Sequence, residues 1–377
     1  MENIQVFKPS YRVDETLALI RDCMEIGWTG MGYKTLEFEA QWKEYTGVSH
    51  AHFLNSATAG LHVAIALLKR KYGWEDNDEI ISTPLTFVST NHAIKYENMQ
   101  PVFADVDEYL CLDPEDVRRK ITGKTRAVIF VGIGGSTGQL EEIVNLCKEN
   151  NLKLILDAAH MAGTRLDGVH VGLEADVTVF SFQAVKNLPT SDSGMICFLD
   201  EELDKMAREF CWLGINKDTY ARSSNDGSYK WKYDVPTVGY KYHGNSIVAS
   251  MGIVALKYLD HDNAYRRQVK SWYKELLVDV KDLEFVKTPE ACESSTHICA
   301  IMLDNRDEVV DRLTQVGIYP GVHYIPNNQY APYKDQDGKT PRSDTIAKRL
   351  LSLPIHLGVT RTDVERVCKE LKKILRG

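Results

Sequence analysis

"SFQAVKNLPTSDSG", residues 181–194, sets a single lysine, Lys186, between an apolar run and a turn rich in Ser, Thr and Gly. The run leading into it, "DVTVFSF" (176–182), is β-branched and aromatic, and "GMICFL" (194–199) beyond it has the same character. Two strands are therefore predicted, with Lys186 in the loop between them. A solvated lysine is the ordinary content of such a loop. The rest of the chain decides whether this one is different.

Outward from this pair, "AHFLN" (51–55), "DEIIST" (78–83), "QPVFADV" (100–106), "RAVIFVG" (126–132) and "KLILDAA" (153–159) read as further strands. Helical stretches separate them. In "TAGLHVAIALLKRKY" the residues Leu61, Ala64, Ile65 and Leu68 share one face, and "LEEIVNLCKENN" (140–151) is a second example. Continuous apolar strands alternating with helices predict an α/β fold, a mostly parallel seven-stranded sheet with helices on both faces. Such sheets bind ligands outside the carboxyl ends of their strands. The pattern breaks over residues 215–240, a polar, aromatic, turn-rich stretch that reads as a long loop. A long amphipathic helix is then expected from about Ile247, followed by a strand in "THICAIMLD" and a last helix in "RTDVERVCKELKKILRG". This divides the chain into an N-terminal arm and large domain (1–245) and a connecting helix with a small α+β C-terminal domain (246–377).

The 377 residues are 44% hydrophobic and 26% charged, with a net charge of −8, the balance of an ordinary globular protein. That charge argues against nucleic acid or an anionic membrane as the main partner, while leaving room for a local phosphate site. No apolar run approaches the roughly 20 residues of a spanning helix, and the first residues carry no basic region followed by an apolar stretch. The eight cysteines form no C-x-x-C pair, so neither a zinc site nor a disulfide framework is expected, and a reduced, cytoplasmic protein is.

Chemistry concentrates at the strand ends. "KLILDAAH" closes a buried strand with Asp157, three residues before His160. A carboxylate there needs a positive partner or serves as a helix N-cap. "NSATAGLHVAI" places Ser56, Ala57, Thr58 and Ala59 where strand becomes helix, an N-cap that can also receive an anion. Phe87, in "TPLTFVSTNHA", is either core or a plate for a flat ligand. One sheet edge thus collects a phosphate cradle, an aromatic plate, a carboxylate and a loop lysine. The set fits pyridoxal phosphate, with Phe87 under the ring, Asp157 on the pyridine nitrogen and Lys186 as the Schiff-base and proton-transfer group.

Taken with "GWTGMGYKTLEFEAQWKEYTGVSHAHFLNSATAGLHVAI", "LILDAAHMAG", "FSFQAVKNLPTSDSGM", "VGYKYHGNSIVASMGIVAL" and "GIYPGVHYIP", the chain resembles the DegT/DnrJ/EryC1/StrS sugar aminotransferases, fold-type I pyridoxal phosphate enzymes, over nearly its whole length. The resemblance implies Lys186 and Asp157 as catalytic residues and His160 beside the ring hydroxyl. It implies Ser181 with the backbone of Thr58 and Ala59 on the phosphate, and Phe87 stacked on the ring. It also implies a homodimer in which "GYKYHGN", through Lys241, reaches a neighbour's site. The expected substrates are L-glutamate and a nucleotide-linked ketosugar, the latter met by Thr29, His323 and Tyr324 in loops 28–33, 213–235 and 323–333. The chain departs from the family pattern in Ser191–Gly194, where Gly-Glu-Gly-Gly is usual, in Lys241 and His243 around Tyr242, and in the glycine-rich "VGIGGSTGQL" (131–140). Lys186 argues against the dehydratase branch, which carries histidine there. A non-catalytic regulator, or a lyase or desulfurase of the same fold type, stand as alternatives.

Overall fold

The structure, a computed structural model, describes residues 2–216 and 233–376. The seven expected strands are β1 (His50–Leu54), β2 (Glu79–Ser82), β3 (Gln100–Phe103), β4 (Thr125–Val131), β5 (Lys153–Asp157), β6 (Val177–Ser181) and β7 (Gly194–Phe198). They form one sheet in the order β1-β7-β6-β5-β4-β2-β3. β7 runs antiparallel to both neighbours, so that Met195 stands opposite Phe53 on one side and Phe180 on the other. The remaining pairs are parallel.

Helices α1 (Val13–Ile26) and α2 (Tyr33–Thr46) precede the sheet. α3 (Ala57–Tyr72), α4 (Val88–Tyr96), α5 (Pro114–Lys120), α6 (Leu140–Glu149) and α7 (Glu201–Cys211) alternate with its strands. On one face Phe38 and Trp42 of α2 pack with Phe130, Phe180 and Met195. On the other, Leu61, Ala64, Ile65 and Leu68 of α3 pack with Ile129, Ile155 and Val179. Both faces being covered explains why the strands are apolar without alternation. Burial of each such Leu or Ile contributes about 1.5–3 kcal/mol.

Two glycines seat α3. A Cβ on Gly60 would stand 2.7 Å from Val179 Cγ1, and one on Gly194 would stand 2.7 Å from the Ala57 amide nitrogen. The helix therefore starts hard against the strands that flank the lysine loop. Ser56 caps it, its Oγ accepting the Ala59 N–H at 3.1 Å.

The long helix α8 (Ser246–Leu276) begins at an Asn245 cap whose Oδ1 accepts the Val248 N–H at 3.0 Å. It packs on α1 and α2 near its start, and its far half covers a second, antiparallel sheet. That sheet has β8 (Leu283–Phe285), β9 (Cys299–Leu303) and β10 (Leu350–Leu353), in the order β8-β9-β10. α9 (Arg306–Gln315), α10 (Pro341–Arg349) and α11 (Arg361–Arg376) complete this part. The start of the N-terminal arm pairs with the second half of the chain, and Tyr11 further along donates to the Thr190 carbonyl at 2.8 Å. Ile4 and Gln5 lie parallel to Ile318 and Tyr319, because Ile4 finds its apolar partners there. Residues 217–232 of the expected long loop lie outside the described residues. Among the described residues, no helix is long and apolar enough to cross a membrane.

Candidate active site

β5 ends at Asp157, which pairs with Val131 at the end of β4. The Asp157 carboxylate is 4% exposed. Thr90 Oγ1 donates to its Oδ2 at 2.7 Å, and the Ala159 N–H donates to Oδ1 at 3.2 Å. With its proton committed there, Thr90 Oγ1 accepts from Thr86 Oγ1 at 3.0 Å. Burial raises the Asp157 carboxyl above its ordinary range, opposed by Thr90, Ala159 and the charge of Lys186.

Lys186 lies in the loop from β6 to β7, its amide donating to the Gln183 carbonyl at 2.8 Å. The next residue anchors this loop. Asn187 Nδ2 donates to Asn263 Oδ1 and to the Ser295 carbonyl, both at 2.7 Å. Desolvation pushes the Lys186 ammonium down to about 8, with Asp157 pulling the other way. At pH 7.4 roughly a fifth of such amines are neutral, against about one in a thousand at the usual value.

The hydrogen bonds fix the tautomers of two histidines. The Gly134 N–H donates to His160 Nδ1 at 3.1 Å, so the proton of the neutral ring sits on Nε2, 3.1 Å from Tyr324 Oη. Nε2–H then donates to Tyr324, whose own hydroxyl proton stays available to the cavity. Asn187 spends its amide protons on Asn263 and Ser295, so its Oδ1 accepts from His297 Nδ1 at 2.9 Å. His160 and His297 lie 4.3 Å apart between ring centroids, and His297 stacks on Phe7 at 5.0 Å. Burial, with the charge of Lys186 nearby, holds both His160 and His297 well below their usual value. His323 is pushed down to about 4 by burial and Lys186, and its Nδ1 bonds Ser352 Oγ at 2.8 Å.

The glycine-rich stretch acquires a purpose here. Gly134 (φ 64°) presents its amide to His160, and a Cβ on it would stand 2.8 Å from Ile298 Cγ1. A Cβ on Gly135 (φ 85°) would stand closer still, 2.1 Å from Ser295 Oγ. The turn needs left-handed backbone and no side chain.

These groups enclose a cavity of about 470 Å³ lined by Thr58, Phe87, Asp157, His160, Ser181, Lys186, His323 and Tyr324. Phe87 is 58% exposed, its ring 6.1 Å from that of Tyr324. Ala59 stands apart, because its amide is taken by Ser56 Oγ. The amides of Ala57 and Thr58 have no acceptor among the described residues, and both residues line the cavity. Among the described residues Ser181 Oγ only accepts, from the Gln183 N–H at 3.4 Å, which leaves its hydroxyl proton to donate. Thr29 is exposed on the turn from α1 to α2, outside the residues of its own chain that line this cavity, and the Ser246 N–H donates to the Gly30 carbonyl of that turn at 2.8 Å. Lys241 is also exposed, its ammonium 5.2 Å from the Trp212 ring centroid. Thr90, Gln183, Asn187, His297 and Phe7 belong to the site or its support and were not singled out by sequence. Gln183 and Asn187 stand in the quoted lysine motif, and Thr90 and His297 in quoted stretches elsewhere, but none of them was read as a site residue.

The donor set fits pyridoxal phosphate. Free amides at a helix start and a free serine hydroxyl suit a phosphate. A buried strand-end carboxylate suits a pyridinium, and a lysine depressed to about 8 suits covalent attachment. Fold and site together define a pyridoxal-phosphate-dependent enzyme.

The chain belongs to the DegT/DnrJ/EryC1/StrS aminotransferase family, whose sequence profile matches residues 11–372. It is 32% identical to the dTDP-4-dehydro-2,3,6-trideoxy-D-glucose 4-aminotransferase of Saccharopolyspora spinosa, over 95% of this chain and 94% of that one. The crystal structure of the aminotransferase TlmJ from Streptoalloteichus hindustanus superposes with a TM-score of 0.91 at 31% identity, covering 99% of both chains. The fold is also that of a putative sugar aminotransferase of Streptococcus pneumoniae, Spr1654, solved in a PLP-form (TM-score 0.91, 24% identity, 99% of both chains) and a PMP-form. This chain is a sugar aminotransferase by family and uses pyridoxal phosphate.

Proposed function

We propose that the enzyme takes an amino group from L-glutamate and delivers it to the keto carbon of a 3-keto- or 4-keto-6-deoxyhexose carried by a nucleotide diphosphate. The observation that carries this reading is Lys186, depressed to about 8, in one cavity with the buried carboxylate of Asp157. The activity for which the Saccharopolyspora spinosa relative is named, on a dTDP-linked ketosugar, supports the substrate class.

Bound pyridoxal phosphate supplies an electron sink for passing an amino group between an amino acid and a keto compound. The chain's residues do the rest. Lys186 gives and takes protons at Nζ, and its depressed ammonium keeps neutral amine available near neutral pH. Asp157 offers a negative charge oriented by Thr90 and Ala159 to the cofactor's ring nitrogen. Ser181 and the Thr58 amide hold phosphate, and Phe87 stacks on the ring. His160, neutral and oriented by Gly134, stands beside the ring hydroxyl together with Tyr324. His323 and Tyr324 meet the sugar. The enzyme acts as a homodimer, Lys241 of each subunit reaching its partner's cavity. Residues 1–245 supply most of the cofactor site, and 246–377 close it.

All eight cysteines are buried free thiols, which suits a reducing compartment such as the cytoplasm and favours amino transfer over sulfide chemistry. The test is optical. The purified holoenzyme should lose its visible absorbance on adding L-glutamate and regain it with one member of a panel of nucleotide ketosugars. Sulfide release from cysteine, with no response to glutamate, would overturn the reading in favour of a desulfurase. A cofactor unresponsive to every substrate would favour a regulator.

A further inference from the structure

Arg266 lies on α8 one turn beyond Asp262, the spacing at which opposite charges pair along a helix. The pair does not form. Arg12, from the N-terminal segment, grips Asp262 with both guanidinium ends at 2.6 Å. Arg266 is left with no hydrogen bond or ion pair among the described residues, although it is only 6% exposed and its Nε is fully enclosed. An enclosed guanidinium without an acceptor is costly to fold, which marks it as waiting for an anion.

Its surroundings sharpen the point. Arg266 borders a small cleft with Lys8, His356 and the lysine loop, and none of the residues lining that cleft carries a carboxylate. The cleft has a volume of about 10 Å³, room for about one oxygen-sized group. It shares Phe7, Val185 and Lys186 with the large cavity. A phosphate is too large for it, and the free amides of α3 and Ser181 already offer a phosphate its place.

We propose that Arg266 receives the α-carboxylate of the amino donor, one oxygen lodging in this cleft while the donor's amine-bearing carbon stands beside Lys186. The proposal rests on the reading that the donor is an amino acid. It makes Arg266 a residue specific to one half of the reaction, because an amino sugar carries no carboxylate.

The experiment uses the holoenzyme with Arg266→Gln and Arg266→Lys. The cofactor's absorbance is followed in single turnover, once with L-glutamate and once with the amino sugar product in reverse. Loss of a hydrogen-bonded charge pair predicts a roughly 10- to 150-fold fall in kcat/KM for glutamate in Arg266→Gln. A change under threefold is expected with the amino sugar, and an intermediate effect in Arg266→Lys. The melting temperature of Arg266→Gln should stay the same or rise, since an unpaired buried charge is gone. Equal slowing of both half-reactions, unchanged glutamate kinetics, or a lowered melting temperature with general loss overturns the proposal. Should wild type ignore L-glutamate, the glutamate reading fails by itself, and the comparison is repeated with whichever α-amino acid bleaches the cofactor. If no α-amino acid does, the Arg266 proposal falls too.

Discussion

Asp157→Asn keeps the side chain's shape and deletes one buried negative charge. The residue is 4% exposed and held by Thr90 Oγ1 at 2.7 Å and the Ala159 amide at 3.2 Å. An amide oxygen can still accept one of these, so the packing cost is small beside the electrostatic one. In the cofactor-free protein, the charge of Asp157 supports the Lys186 ammonium, so its loss should move Lys186 further below about 8. In the holoenzyme the same charge faces the ring nitrogen. A preorganised partner of this kind contributes about 3–4 kcal/mol or more, and at 1.36 kcal/mol per tenfold the expected loss of turnover is at least 10²- to 10³-fold. The assay is steady-state turnover at saturating glutamate and ketosugar, with cofactor content read from the absorbance of the same preparation. Cofactor binding should weaken much less than turnover. A turnover change below threefold would show that Asp157 only caps the segment that follows it.

Lys186 also sets a pH dependence of stability in the cofactor-free protein. Its ammonium falls from 10.5 to about 8 on folding, so between these values the unfolded chain holds more protons and wild type should gain stability as pH rises. Denaturant unfolding of wild type against Lys186→Met from pH 7 to 10 should show that gain in wild type alone, and a flat difference would contradict it. His323→Ala should slow the ketosugar half-reaction more than the glutamate half-reaction in single turnover, because His323 is neutral and placed with Tyr324 in the cavity. Equal slowing would make it part of the general architecture. Gly134→Ala forces a Cβ into left-handed backbone 2.8 Å from Ile298. It should cost about 1–3 kcal/mol, seen as a lowered melting temperature, and unchanged melting would refute the role given to that turn.

The strands were legible because both faces of the sheet are covered, which writes each strand as an unbroken apolar run. Lys186 and Asp157 were legible because polar groups at the ends of such runs stand out. The direction of β7 was not, since an apolar run such as "GMICFL" carries no polarity. Contacts between distant segments were hidden as well. Asn187 meets Ser295, and His160 takes its proton arrangement from Gly134, through bonds that no local pattern encodes. The pairing of Asp262 with Arg12, 250 positions away, overrides the helical spacing that would have given it to Arg266.

The claim on which the rest depends is that Lys186, and no other lysine, holds the cofactor. Borohydride reduction of the holoenzyme makes any cofactor–lysine link permanent, and peptide mass spectrometry then locates it. The account predicts the reduced cofactor's mass on the peptide containing Lys186, and an inactive but folded Lys186→Ala variant that carries no label. A label on another lysine, or wild-type turnover in Lys186→Ala, would contradict it.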